Sequence, residues 1–224
     1  MNSREAILGA LRTNLRRAAD GGEGAKTVMK RLTTHAQNLI PMRGQRDLSA
    51  RVALFEDYAV DAASTVARVA STEDVPAAVA KFLRAHNLPT KLVRAPDPRL
   101  DAIPWRRQRI LTLEARPATE NDAVAVTGAF GAVAETGTLV LTSGNTSPTT
   151  LNFLPETHIV ILWADQIDPD YESQWTRLRA RYGEGMMPRT VNLVTGPSRS
   201  ADIEQTLQLG AHGPRRLHIV IVDV

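Results

Sequence analysis

The chain of 224 residues contains no cysteine, only 4% aromatic residues and no long apolar run. Without cysteine there are no disulfides, no zinc–thiolate site and no iron–sulfur cluster whose thiolates come from this chain alone. A small secreted domain stapled by disulfides is excluded with them. With so few rings the core must be aliphatic, and a 43% hydrophobic content is enough to build one. No stretch approaches the roughly 18 uninterrupted apolar residues that a membrane span requires. The first apolar run, residues 6–11, is broken at Arg12 and is too short for the core of a secretory signal. A soluble protein of the cytoplasm, with no membrane partner, is the expectation.

Basic residues are missing from residues 117–176, which carry eight acidic side chains. The basic excess is mostly N-terminal: residues 1–56 hold ten basic and five acidic side chains, among them Arg12, Arg16, Arg17, Lys26, Lys30 and Arg31. No aromatic–basic interleaving or nucleic-acid motif accompanies these charges, so they read as a solvated helix face and no nucleic acid is expected.

Residues 3–19 have the pattern of an amphipathic helix, with Ser3 as its cap and Ile7, Leu8, Leu11 and Leu15 on one stripe. The run Asp20-Gly21-Gly22-Glu23-Gly24 then reads as a flexible stop. A helix this short is marginal alone, so its stripe is expected to dock on its own domain, a second copy or another protein. Residues 1–45 are read as this helical arm and its linker, and residues 46–224 as an α/β domain. In that domain helical patterns at 48–63, 72–86 (capped by Ser71), 171–182 and 201–209 alternate with strand-like runs at 65–69, 91–93, 110–113, 123–127, 138–142, 158–163, 191–195 and 217–222. Such alternation predicts a layered fold around a largely parallel sheet.

Three segments carry groups suited to chemistry. In the glycine-rich stretch of residues 127–138, Glu135 offers a carboxylate, Thr136 and Thr138 hydroxyls, and Gly137 a backbone that a ligand can approach closely. Its glycine spacing matches neither a dinucleotide fingerprint nor a Walker loop, and an ordinary structural turn is the competing reading. Residues 195–204 follow an apolar strand and read as opening a helix whose free amides favour an anion, with Gly196, Ser198, Arg199 and Ser200 as donors. Capping by Ser198 or Ser200, with Asp202 and Glu204 complementing the dipole, explains the same residues apart from the arginine. His158 enters a buried strand, and His212 lies between chain-reversing residues, where a base, a metal ligand or a turn hydrogen bond are alternatives. No histidine pair has ligand spacing and no nucleophile elbow is present, so no metal site is expected.

The order of four motifs is similar to that of the lactate-utilisation protein C family, the LUD-domain proteins: A-E-T-G-T-L-V-L at residues 134–141, L-P-E-T-H-I at 154–159, G-P-S-R-S-A-D-I-E at 196–204 and G-A-H-G-P at 210–214. The resemblance covers residues 65–224, with Ser200 standing where threonine is usual. It implies a fold related to ribose-5-phosphate isomerases and CoA transferases, a sheet flanked by helices. It also implies a part in oxidising L-lactate to pyruvate beside iron–sulfur partner proteins, and it transfers no catalytic residue. The chain's lack of thiolates assigns any such clusters to the partners. Three functions compete: an accessory or substrate-binding subunit of lactate oxidation, a stand-alone isomerase or acyl/CoA transferase with Glu135 as base or nucleophile, and an assembly protein. A homo-oligomer is compatible with all three. Glu135, Thr136, Ser198, Arg199 and His212 are expected to line one cleft for a small carboxylate or phosphate, at the carboxyl ends of parallel strands.

Overall fold

The computed structural model describes residues 3–15, 22–183, 185–203 and 206–223. The chain divides into two compact units, Met1–Ile40 and Pro41–Val224.

The first unit holds helices α1 (Ser3–Asn14) and α2 (Gly22–Thr34). Of the helix expected to residue 19, Leu15 is a turn residue and residues 16–19, with Arg16 and Arg17, lie outside the described residues, as do Asp20 and Gly21. Gly22, Glu23 and Gly24 do not form the expected stop; they open α2. Ala25, Val28, Met29 and Leu32 recur at helical spacing, and that pattern outweighs the roughly 1 kcal/mol that each glycine costs a helix. Ile7, Leu8, Leu11 and Leu15 are all exposed.

In the second unit the strands run β1 (Thr65–Val69), β2 (Lys91–Arg94), β3 (Thr112–Ala115), β4 (Val124–Gly128), β5 (Gly131–Val133), β6 (Thr138–Thr142), β7 (Thr157–Trp163), β8 (Ile167–Asp168), β9 (Val191–Val194), β10 (Arg199–Ile203), β11 (Thr206–Leu209) and β12 (Arg216–Val222). Helices α3 (Leu48–Asp61), α4 (Val75–Ala85), α5 (Pro98–Asp101), α6 (Thr150–Phe153) and α7 (Tyr171–Tyr182) accompany them. Asp47 caps α3 by accepting from the Ala50 amide at 2.9 Å, and Asp170 caps α7 by accepting from Ser173 at 2.8 Å. The expected Ser71 cap is a correction. Ser71 instead donates to Asp74 at 3.0 Å, and α4 begins only at Val75, with Pro76 in its first turn.

Six strands form one sheet in the order β1-β12-β7-β4-β2-β3, every neighbouring pair parallel. This is the layered α/β architecture expected, and its central strands explain the uninterrupted apolar runs of the sequence. Alternate residues of a strand point to opposite faces, and both faces of β7 and β12 are covered. Ile159, Ile161, Val220 and Val222 pack with Val79 and Leu83 of α4, Leu100 of α5 and Leu151 of α6. Val160, Leu162, Ile219 and Ile221 pack on the other side with Phe55 and Ala59 of α3 and with Leu139 and Ile167. These last two residues belong to a second sheet, β8-β5-β6-β9, in which β6 runs antiparallel to both its neighbours.

Residues 201–209 do not form the expected helix. β10 and β11 are an antiparallel hairpin, with Arg199 opposite Leu209 and Ser200 opposite Gln208. Thr206-Leu207-Gln208-Leu209 alternates polar and apolar, and that period of two selects a strand. Among the described residues no helix is long and apolar enough to cross a membrane.

Candidate functional site

The second, third and fourth sequence motifs meet in a cleft of about 270 Å³ beside the amino ends of β7 and β12. Its walls include Gly196 and Ser198 from the loop after β9, Arg199 at the start of β10, His212 from the loop before β12, and His158 from β7. The two loops are tied together by backbone bonds. The Ser198 amide donates to Pro214 O at 2.8 Å, Gly210 donates to Ser198 O at 3.0 Å, and the His212 amide donates to Ser198 Oγ at 3.3 Å.

Because Arg199 opens a hairpin, the expected helix N-terminus is absent, and with it the dipole expected to favour an anion; strands carry little net dipole. The cleft also lies at the opposite end of the parallel strands from the one expected. Glu204, assigned above to complement a helix dipole, lies outside the described residues, as does the side chain of Ser200.

The arginine that capping left unexplained does touch a helix end, but a C-terminal one. Arg199 Nη2 donates to the carbonyl of Ala62, the residue that closes α3, at 3.0 Å. A guanidinium there satisfies a free carbonyl and sits at the negative end of the helix. Gly196 is held against the same residue: its φ is +79°, and a Cβ on it would collide with Ala62 O. The rest of the Arg199 fork remains for the cleft. Deeper in, burial pushes the His158 imidazole down to about 3, so it is neutral at pH 7. Its Nε2 lies 2.7 Å from Thr127 Oγ1. Buried Asn152 and half-exposed Phe153 complete the wall from α6. A single guanidinium at the rim, hydroxyl and amide groups beside it and an uncharged interior suit a small monoanion with a polar substituent.

The first motif is elsewhere, so the expected single cleft divides. Gly137, in the left-handed conformation at φ +63°, packs against Tyr58 and Ala59 in the last turns of α3, leaving no room for a Cβ. Thr136, Thr138 and Tyr171 hold one another through hydroxyls 2.7–3.1 Å apart. Thr138 Oγ1 reaches Thr195 Oγ1 at 2.7 Å, and Thr195 lines the cleft, so this network supports the site from behind. Glu135 lines neither this cleft nor a larger one at the other end of the sheet. It is buried beside Gly44, its amide donates to Pro169 O at 3.3 Å, and its Oε2 has no hydrogen-bond partner; Arg43 Nε is 3.8 Å away. A base or nucleophile needs access to substrate, and in this packing Glu135 has none.

Sequence reasoning missed Asn152, Phe153 and the Ala62 carbonyl. The first two immediately precede the L-P-E-T-H motif and were open to inspection, whereas a helix-end carbonyl leaves no mark in a sequence. Among the described residues no group of three or more histidine, aspartate or glutamate side chains is placed to hold a metal ion.

A family model described as the LUD domain matches residues 52–222. Lactate utilization protein C of Geobacillus sp. (strain WCH70) is 41% identical over 93 residues, which is 41% of this chain and 39% of that protein. Lactate utilization protein C of Halalkalibacterium halodurans is 40% identical over 103 residues, 45% and 44% of the two chains. The matched stretch thus spans about two-fifths of these relatives' length. A crystal structure of a DUF162 family protein from Deinococcus radiodurans superposes with a TM-score of 0.60 at 24% identity, over 79% of this chain and 99% of that one, which is a likeness of fold.

Proposed function

The chain belongs to the LUD domain family, and we propose that it serves lactate utilisation as a substrate-binding, accessory subunit of a cytoplasmic system oxidising L-lactate to pyruvate. The observation that carries this reading is the convergence of Ser198, Arg199 and His212 on one small cleft with a neutral interior. Lactate and pyruvate are both small carboxylates with a polar group on the adjacent carbon. Arg199 pairs with the carboxylate, and Ser198 and His212 face the hydroxyl or keto oxygen. The names of the relatives point the same way.

Electrons released from lactate need an acceptor. A chain without cysteine supplies no thiolates for an iron–sulfur cluster, so such clusters are assigned to partner proteins and this subunit to holding the substrate.

Titration calorimetry with L-lactate and pyruvate tests the reading. The wild-type chain should bind both, and Arg199→Ala should weaken binding by at least about tenfold, the loss of one charge-assisted contact. Lactamide, which lacks the carboxylate, should not bind. Equal affinity in wild type and Arg199→Ala, or no binding of either acid, would remove the basis for the proposal.

A further inference from the structure

A larger cleft, about 710 Å³, opens at the opposite end of the sheet, where β2, β4 and β7 present their carboxyl ends. Ligands of open α/β sheets collect at that end, and none of the four sequence motifs reaches it. Three arginines line it, in three different electrostatic states.

Arg177 is spent. It forks onto Asp168 with contacts of 2.8 and 2.9 Å, and this pairing raises its pKa further. Arg99 is partly spent: Nη2 lies 3.1 Å from Asp97 Oδ2 and 3.3 Å from Ala129 O, and the guanidinium stacks over Trp163 at 4.8 Å. Gly128 makes that arrangement fit, since a Cβ there would come within 3.1 Å of Asp97 and 3.3 Å of Arg99.

Arg181, one helical turn beyond Arg177, is exposed. Its one contact among the described residues is with the ring of Tyr182, 5.8 Å away. Among the described residues no carboxylate pairs with it, and it lines the cavity. In the same lining, the turn closed by Gly144 and Ser147 presents Ser143 and Thr146. Ser143 Oγ accepts from the Thr190 amide at 2.9 Å, which leaves its own proton to donate. The Thr146 hydroxyl has no partner among the described residues. Phe130 and Tyr182, which also line it, form an aromatic surface with ring centroids 6.2 Å apart.

We propose that this cleft binds a phosphate ester carrying a planar ring, of mononucleotide size. The phosphate takes its donors from Arg181, Ser143 and Thr146, and the ring lies along Phe130 and Tyr182. A tetrahedral anion uses donors arriving from several directions, and here one guanidinium comes from α7 and two hydroxyls from the turn after β6. The volume falls in the range of sites for ligands of this size.

AMP is the probe, titrated calorimetrically into the full chain, with adenosine and citrate as comparisons. AMP should bind, and binding should weaken with added salt. Arg181→Ala should lower AMP affinity by at least about tenfold, with Arg181→Lys in between. Tyr182→Leu should lower it as well. Circular dichroism of each variant should match wild type, because Arg181 is exposed. The proposal is overturned if AMP fails to bind up to about 10 mM, if adenosine binds as well as AMP, if citrate binds better than AMP, or if folded Arg181→Ala retains wild-type affinity.

Discussion

Two imidazoles are folded into the sheet without charge, and acid should weaken the fold through them. His158 on β7 is 1% exposed and His218 on β12 is 4% exposed. Burial lowers the first to about 3 and the second to about 4. At His218 the charge of nearby His86 acts in the same direction, and a hydrogen bond with Thr65 acts against it. In the unfolded chain both groups titrate near 6.5. The unfolded state therefore binds more protons in acid, so the stability these residues contribute is complete above that value and is lost as pH falls toward the folded values. Between pH 7 and pH 5 each histidine should cost about 2 kcal/mol, roughly 4 kcal/mol for the pair. Two ion-paired carboxylates act outside this window. Hydrogen bonds from Arg116 hold Asp122 below the usual carboxylate range, and those from Lys91 and Arg116 do the same for Glu114. Their contributions fade only as the pH drops through about 4. Urea unfolding followed by circular dichroism at the two pH values measures the difference directly, and His158→Gln should remove about half of it. A wild-type change smaller than about 1 kcal/mol would show that these imidazoles are hydrated or charged in the folded state, and the reasoning would fail.

Two substitutions test the scaffold behind the cleft proposed to hold lactate. Gly137→Ala must accept a positive φ and push its Cβ into Tyr58 and Ala59 of α3; we expect a loss of about 2–4 kcal/mol in chemical denaturation, and a loss within error would mean that α3 readily moves aside. Thr138→Val keeps the shape but takes a partner from the hydroxyls of Thr136, Tyr171 and Thr195, leaving the first two only each other. It should cost about 1–3 kcal/mol and weaken lactate binding through Thr195; unchanged stability would show that water replaces the network.

The sequence showed the parts of the fold whose patterns are long or repeated. β1 and α7 fall at the residues their periodicity marks, and the continuous runs of β7 and β12 identify strands covered on both faces. β5 and β8, three and two residues long, are too short to show any period, so the second sheet went unseen. The hairpin β10–β11 was misread because Ser198 to Asp202 imitate a capped helix start, while the alternation that contradicts it begins only at Thr206. For the site, the motifs point to Ser198, Arg199 and His212 as neighbours, but also to Glu135 and Thr136, which do not line that cleft. Gly137 and Gly196 each pack on α3, so the two groups share a helix without sharing a cavity. Arg99 and Arg181 carried no motif at all, and only the sheet's geometry brings them together.

The order of strands bears on how the protein is made. β1 forms the edge of the parallel sheet and has one neighbour in it, β12, which also pairs with β7. Thr65 and its partner His218 are 153 positions apart in the chain. During synthesis β1 leaves the ribosome early and has no strand to pair with until the last of the twelve appears. Pairings of this range are slow to form, and sheet edges left open meanwhile are prone to join other chains. A chain interrupted before Arg216 therefore loses more than an edge: it lacks an interior strand, so β1 is left without a partner and β7, still paired with β4, becomes an open edge.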